Sequence, residues 1–283
     1  MSVQLRYLGW SAFEVTLEDC RRIALDPLLN GVVEEDVPPS PATLEEFDAV
    51  DVVMVTHAAP DHVGQTFEIL ARSQAKLVCD VATRFLALAA GIAADRIYFM
   101  VPGVQFDLDG LLVKALPAEH LSFRKLGEGA YISGPPLSYL VTTPGGIKLF
   151  FGGDTSITAN HKLFGALYKP DLAVLGVGGV KQMGQSFTEL HPDEAALVAK
   201  WLGVKVALPI HYRQDEGVRF AKAVKKTAPR VRAVLLKAGE SYSFPERGRR
   251  APASARNCSS THAVTGVPGV RSGSPVLQLN VHD

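Results

Sequence analysis

The chain has 283 residues, 47% of them hydrophobic, and 29 Lys plus Arg balance 29 Asp plus Glu. That is enough apolar material for one large layered core or two small ones. Zero net charge provides neither a basic field for nucleic acid nor an acidic surface for a basic partner, and 8% aromatics make a poor stacking platform for single strands.

Residues 3–8 and 12–17 alternate apolar and polar side chains and read as paired strands around a turn at Gly9-Trp10-Ser11. Residues 22–25 form another short strand, ending at Asp26-Pro27. Residues 28–47, rich in Pro, Glu and small residues, read as a long loop with a short helix near 43–47; loops of this length inside a domain are often binding loops. The apolar run 51–55 reads as a buried strand, residues 63–72 as a helix, 76–79 as a strand and 82–90 as a helix stopped by Gly91. Residues 96–101 and 104–108 are short strands around Pro102-Gly103, and 111–116 is a strand running into His120. A Gly- and Pro-rich loop is expected over 121–137, carrying Arg124, Lys125 and Tyr131. Residues 138–142 and 147–151 read as a hairpin that delivers Gly152-Gly153-Asp154-Thr155.

A short helix follows over 161–167, then a buried strand over 171–175 and a Gly-rich loop over 176–184. Residues 192–202 read as a helix, with Pro192 suited to its first position and Asp193 and Glu194 to the positive end of its dipole. The strand 204–208 leads into Pro209-Ile210-His211-Tyr212, the helix 217–227 follows, and strands at 231–235 and 241–244 close the domain. Residues 246–283 change character: rich in Arg, Ser, Pro and Gly, they read as a flexible tail with a short strand at 276–281. The expected organisation is therefore one domain over 1–245 and a tail over 246–283. Within the domain, a β-rich block over 1–118 and another over 138–245 suit two sheets packed face to face with helices outside.

Compartment signals point to a cytoplasmic protein without a membrane partner. The N-terminus lacks a charged start followed by an apolar block, and no apolar run approaches the ~20 residues that span a bilayer. Cys20, Cys79 and Cys258 show no CxxC spacing and suggest a reducing environment. Asn257-Cys258-Ser259 fits a glycosylation sequon, which carries little weight without a secretion signal.

The chemistry concentrates at Thr56-His57-Ala58-Ala59-Pro60-Asp61-His62, where two imidazoles and a carboxylate stand on the turn leaving a buried strand. Imidazole nitrogen and carboxylate oxygen both suit zinc, and manganese or iron as well. Alone, the stretch would read as a loop capping the next helix. His120, Asp154 and His211, at other apparent strand ends, favour a metal nest instead, although Gly-Gly-Asp-Thr also suits an ordinary turn and His211 a satisfied core residue.

Four landmarks in order give the chain a resemblance to the metallo-β-lactamase superfamily: the 56–62 stretch, His120, the GGDT at 152–155 and the PIHY at 209–212 supply its ligand pattern. YLGWSAFEV at 7–15, ALDPLL at 24–29 and YKPDLAVL at 168–175 resemble the branch of ascorbate-6-phosphate lactonase-like hydrolases. The likeness covers about residues 3–245. It implies an αββα sandwich with a metal site at the edge of two mixed sheets. By position, His57 and His120 would serve a first ion, Asp61, His62 and His211 a second, and Asp154 would bridge both.

The sequence departs from the superfamily's HxHxDH motif at Ala59, whose methyl group cannot bind metal. One tightly held Zn2+ or Mn2+ on Asp61, His62, Asp154 and His211 is therefore expected, with a second ion weaker or missing. His191, before the last family helix, reads as a cap or surface residue rather than a replacement. The resemblance implies a metal-bound hydroxide acting on a small lactone, ester or phosphodiester. Asp61 would orient the hydroxide or shuttle its proton, and His57 and His120, if free of metal, would act as acid/base groups. Arg124, Lys181 and Arg213 are candidates for gripping a substrate phosphate or carboxylate, and Trp10 reads first as a core residue. The alternative is a binding protein on the same fold, impaired in hydrolysis by Ala59; a nuclease fits least. The family often forms homo-oligomers, though no interface pattern stands out here.

Overall fold

The computed structural model describes residues 2–33, 36–182, 185–213 and 215–246. The tail expected from residue 246, with its strand at 276–281, lies outside the described residues beyond Glu246.

Apolar alternation in the first runs produces an antiparallel meander of β1 (Val3–Gly9), β2 (Ala12–Thr16) and β3 (Arg22–Leu25). The long loop carries a short 3-10 helix at Leu44–Phe47, and β4 (Val52–Val55) then enters the sheet parallel to β3. A brief helix α1 (Pro60–Val63) and a second, α2 (Thr66–Arg72), cross back to β5 (Lys76–Cys79). Helix α3 (Val81–Ala89) leads to β6 (Ile97–Phe99), so β3, β4, β5 and β6 are all parallel. Next come β7 (Gln105–Leu108), β8 (Leu111–Pro117), β9 (Ser122–Gly127), β10 (Ala130–Gly134), β11 (Leu137–Thr142) and β12 (Lys148–Phe151). Helix α4 (Asn160–Tyr168) precedes β13 (Leu172–Gly176), followed by β14 (Gly179–Gln182) and β15 (Gln185–Thr188). Helix α5 (Pro192–Leu202), β16 (Val206–Ile210), α6 (Glu216–Thr227), β17 (Arg232–Ala233) and β18 (Ser241–Phe244) complete the described chain.

Two seven-stranded mixed sheets result, ordered β18-β1-β2-β3-β4-β5-β6 and β17-β16-β13-β12-β11-β8-β7. The architecture is the expected αββα sandwich. The division at about residue 118 is corrected: β7 and β8 pair into the second sheet through β11, while β18 returns to pair with β1 in the first. Strand partners are chosen across the whole chain, and no local pattern announces them.

Side-chain alternation explains the layers. In β4, Val52 and Met54 face the inter-sheet core, where they join Leu5, Phe13, Tyr139, Phe151 and Leu208. Val53 and Val55 face the other way, against Ile69, Leu70 and Ala87 of α2 and α3. In β12, Leu149 and Phe151 point inward, while Phe150 packs outward against Phe164, Val198 and Phe220 of α4, α5 and α6. A strand buried on both faces is apolar throughout, which is why these runs are continuous rather than alternating in polarity.

Three local expectations change. The helix expected over 63–72 starts earlier, at Pro60, and is interrupted at Gly64. Gly64 sits at φ +43° against the Pro27–Leu28 backbone, a place with no room for a Cβ. The loop expected over 121–137 is largely the hairpin β9–β10, and most of the loop expected over 176–184 forms the first part of the hairpin β14–β15. The β9–β10 side chains are mostly exposed, so they lack the apolar alternation that marks a core strand. No described helix is long and apolar enough to cross a membrane.

One buried hydrogen bond pins the two sheets together beneath the 56–62 stretch: Tyr139 of β11 donates its hydroxyl to the Val55 carbonyl of β4 at 2.6 Å. Tyr139→Phe removes that donor without changing the ring packing. We expect a loss of about 1–2 kcal/mol in urea denaturation, with an unchanged slope.

Candidate metal centre

The polar side chains gather where parallel strands end. Asp26 follows β3 directly, Thr56 and His57 follow β4, Asp154 lies three residues after β12, and His211 follows β16. Ligand sites in open α/β sheets lie outside these carboxyl ends, because the chain turns there and frees side chains from the ladder.

Asp26 organises the first-sheet half. Its Oδ1 accepts the Thr56 amide at 2.8 Å, and its Oδ2 accepts the Thr56 hydroxyl at 2.7 Å and lies 2.8 Å from His62 Nδ1. With Nδ1 so engaged, His62 presents Nε2 inward, 3.0 Å from Asp154 Oδ2 and 3.4 Å from His211 Nε2. Asp154 arrives from the other sheet over Gly153, whose φ of +57° and missing side chain let the turn pass close to Thr56; a Cβ there would stand 2.7 Å from the Thr56 methyl.

His211 Nε2 lies 3.1 Å from Asp61 Oδ2 and 3.5 Å from Asp154 Oδ2, while its Nδ1 is 3.4 Å from the Glu189 carboxylate. Trp10 donates Nε1 to Asp61 Oδ2 at 2.9 Å and packs its ring 4.1 Å from that of His211. Ser11 donates to the Asp61 carbonyl at 2.6 Å. Trp10, Asp26 and His211 all take positive φ, at 48°, 42° and 63°. Such backbones cost about 1–3 kcal/mol each in non-glycine residues and persist only where surrounding contacts over-determine them.

His57 completes the inner face. Its Nδ1 meets the Thr56 hydroxyl at 3.1 Å, and its ring centroid lies 4.1 Å from that of His62 and 5.1 Å from that of His120. His120 is the most open of the six, its side chain 29% exposed, with Nε2 3.9 Å from Asp154 Oδ2.

Charge is distributed to suit cation binding. Burial works against ionisation of Asp61 and Asp154, yet the adjoining His62 and His211 outweigh it and hold both carboxyls below the ordinary range. Burial also works against protonation of His211, but Asp154, Glu189 and Asp61 outweigh it and push its pKa up to about 10. His62 is raised in the same way, by Asp154, Asp26 and Asp61. Burial, with His62 close by, depresses His57, and burial depresses His120, leaving both as neutral imidazoles. Burial and the Asp154 charge raise Glu189 to about 7.

The donor set fits a divalent ion. His57 Nε2 and Asp154 Oδ1 are buried without a hydrogen-bond partner, each at a cost of about 1–3 kcal/mol unless a cation takes its lone pair. Donor atoms of His57, His62 and Asp154 lie within 4.8 Å of one another, as do those of Asp61, His62 and His211.

All six expected ligands therefore converge. The expected substrate contacts are placed less uniformly. Arg213 stacks its guanidinium 4.9 Å over the Trp10 ring, next to the cluster. Arg124 lies in β9 and pairs there with Ile132, and Tyr131 is exposed on β10. Lys181 lies in β14, and its side chain is outside the described residues. His191 caps α5 as expected, with its amide bonded to Glu194. Trp10 is buried like a core residue but bonds to Asp61, so it belongs to the site. Asp26 and Glu189 were not among the expected site residues. An acidic residue ending an apolar strand was the available signal for Asp26; Glu189, in a Gly-rich region, had none.

Known proteins resemble the chain along these same elements. A beta-lactamase superfamily domain matches residues 21–212. A UPF0173 metal-dependent hydrolase of Methanobrevibacter smithii is 30% identical over 249 residues, covering 86% of this chain and 97% of the relative. Another, from Thermococcus onnurineus, is 32% identical over 246 residues, covering 84% and 98%. Among solved structures, Igni18, a metallo hydrolase from Ignicoccus hospitalis, gives a TM-score of 0.71 at 26% identity, covering 87% of this chain and 100% of that one.

Two outcomes follow from the geometry. Asp26→Asn leaves the shape but unsettles the His62 tautomer, and metal affinity by calorimetric titration should fall roughly 10- to 100-fold. Because His211 holds a proton up to about pH 10, an entering ion must displace it. Affinity should therefore rise with pH between 6 and 8, by about tenfold per unit for each proton released, which titrations at three pH values will read.

Proposed function

Since this chain belongs to the UPF0173 metal-dependent hydrolases of the metallo-β-lactamase superfamily, we propose that its substrate is a small lactone, ester or phosphodiester. A phosphorylated sugar lactone is the class that the lactonase-like landmarks favour. The observation that carries this reading is the meeting of His62 and His211 Nε2 with Asp61 and Asp154 Oδ2, from two sheets, at distances of 3.0 to 3.8 Å.

Asp61, His62, Asp154 and His211 would hold a Zn2+ or Mn2+ ion, with Asp154 also facing His57 and His120. Such an ion lowers the pKa of a water from ~16 towards ~7 and so supplies hydroxide near neutral pH. The protein does the rest. Asp61 is held anionic by His62 and His211 and fixed by Trp10, so it can accept a hydrogen bond from the attacking water and orient it. His120, neutral and at the more open side, can, while it holds no ion, give its N–H as a hydrogen bond to the leaving oxygen. Arg213, braced on Trp10, offers a planar guanidinium for an anionic substrate group. Zero net charge offers little for nucleic acid.

A hydrolysis screen of lactones, esters and phosphodiesters with added Zn2+ or Mn2+ tests the proposal. Turnover should appear in one class and fall by more than roughly 100-fold in Asp154→Asn, which keeps the side chain's shape and removes its charge. Absence of turnover with every class and either metal would instead favour a ligand-binding protein disabled by Ala59.

A further inference from the structure

We propose that Glu189 is a metal ligand, and that with His120 and Asp154 it builds a second ion site in which a carboxylate serves where the chain has no imidazole at position 59. This rests on the reading of the centre as a metal site, and it assigns a residue that the superfamily pattern does not use.

Three observations converge. First, donor atoms of His120, Asp154 and Glu189 lie within 4.8 Å of one another, a spacing that one cation can span. Second, both carboxylates are deeply buried, each with a side chain 3% exposed; Asp154 Oδ1 has no hydrogen-bond partner, and Glu189 Oε2 has only His211 Nδ1 nearby, at 3.4 Å. Two buried anions side by side repel, and in the metal-free chain His211, which faces both, is the charge that offsets them. Third, a glycine borders both groups. Gly176 lies between the two groups; a Cβ there would be 3.6 Å from Asp154 Oδ1 and 4.0 Å from the Glu189 Cβ, so the missing side chain leaves the approach open. The other oxygen of Asp154, Oδ2, faces His62 and His211 on the deep side and lies 3.9 Å from His120 Nε2, so it stands between the two groups.

His57 Nε2, also buried and unpartnered, borders the same space through its edge contact with His120. The second site thus has one firm imidazole, a second at its border and two carboxylates. Exchanging an imidazole for a carboxylate makes the donor set harder, which shifts preference from zinc towards manganese.

The Glu189 carboxylate also lies 3.4 Å from His211 Nδ1, so a purely orienting role through His211 is the competing explanation. The two predict different losses. A ligand role costs the second ion alone; an orienting role weakens the deep ion that His211 holds.

The test is Mn2+ titration of the metal-free full chain, read by bound metal per chain and by electron paramagnetic resonance, without measuring turnover. The wild type should bind two Mn2+ and show an exchange-coupled pair signal. Glu189→Gln and His120→Ala should each bind one, with an isolated-ion spectrum and the remaining affinity changed by less than about threefold. The double variant should lose nothing further, as expected for two residues serving one ion. Thermal melts of each variant confirm folding. One ion in the wild type, two in Glu189→Gln, or a weakened deep ion in Glu189→Gln would each overturn the assignment. The metal count stands whether or not hydrolysis is found, so failure here is distinct from failure of the hydrolase proposal.

Discussion

The structure depends on one buried carboxylate that contacts no other carboxylate of the cluster. Asp26 is fully enclosed, and burial raises its pKa, yet it takes up the Thr56 amide, the Thr56 hydroxyl and His62 Nδ1 together. Those bonds fasten the end of β3 to the end of β4 and fix the His62 ring. Only with that ring fixed does Nε2 face Asp154 across the sheet boundary. A carboxylate so deep is tolerable because the Thr56 amide, the Thr56 hydroxyl and the His62 ring all meet its oxygens. The meander's third strand thereby sets the geometry of a ligand thirty-six residues further along.

The opposite sheet repeats the arrangement with different parts. His211 has its Nδ1 towards Glu189 and its Nε2 towards Asp61 and Asp154, while Trp10 supports both His211 and Asp61. Left-handed backbones at Trp10, Asp26 and His211 put strain on both halves. The inter-sheet core around Met54, Tyr139 and Phe151 holds them in register, which is how a packed interior can sustain an unfavourable rim.

Much of this was legible in the sequence because buried parallel strands are short apolar runs and their ends carry polar residues. β3, β5, α5 and β18 fall where the runs place them, and His57, Asp61, His62, His120, Asp154 and His211 all stand at run ends. What was not legible has physical reasons. β18 joins β1, and β8 joins β11 and brings β7 with it, through pairings more than 200 and about 20 to 30 residues distant that no local period encodes. β9 and β10 are solvated on most positions, so the hairpin has no apolar signature; it is fastened instead by Ser122, which bonds Asp80 and the Ala58 amide. Glu189 was invisible because its meaning arises only when the end of β15 is laid beside Asp154.

Depth separates the two halves of the centre. His62, His211 and Asp154 are almost wholly enclosed, with His62 braced by Asp26 and His211 by Trp10, whereas His120 reaches the same Asp154 oxygen from a side chain 29% exposed. Rigid, doubly supported donors lose little freedom when they take an ion; a more open imidazole loses more. Replacing an imidazole by a methyl group at Ala59 therefore falls on the half where binding was already weaker. The deep half keeps Asp61, His62, Asp154 and His211 together.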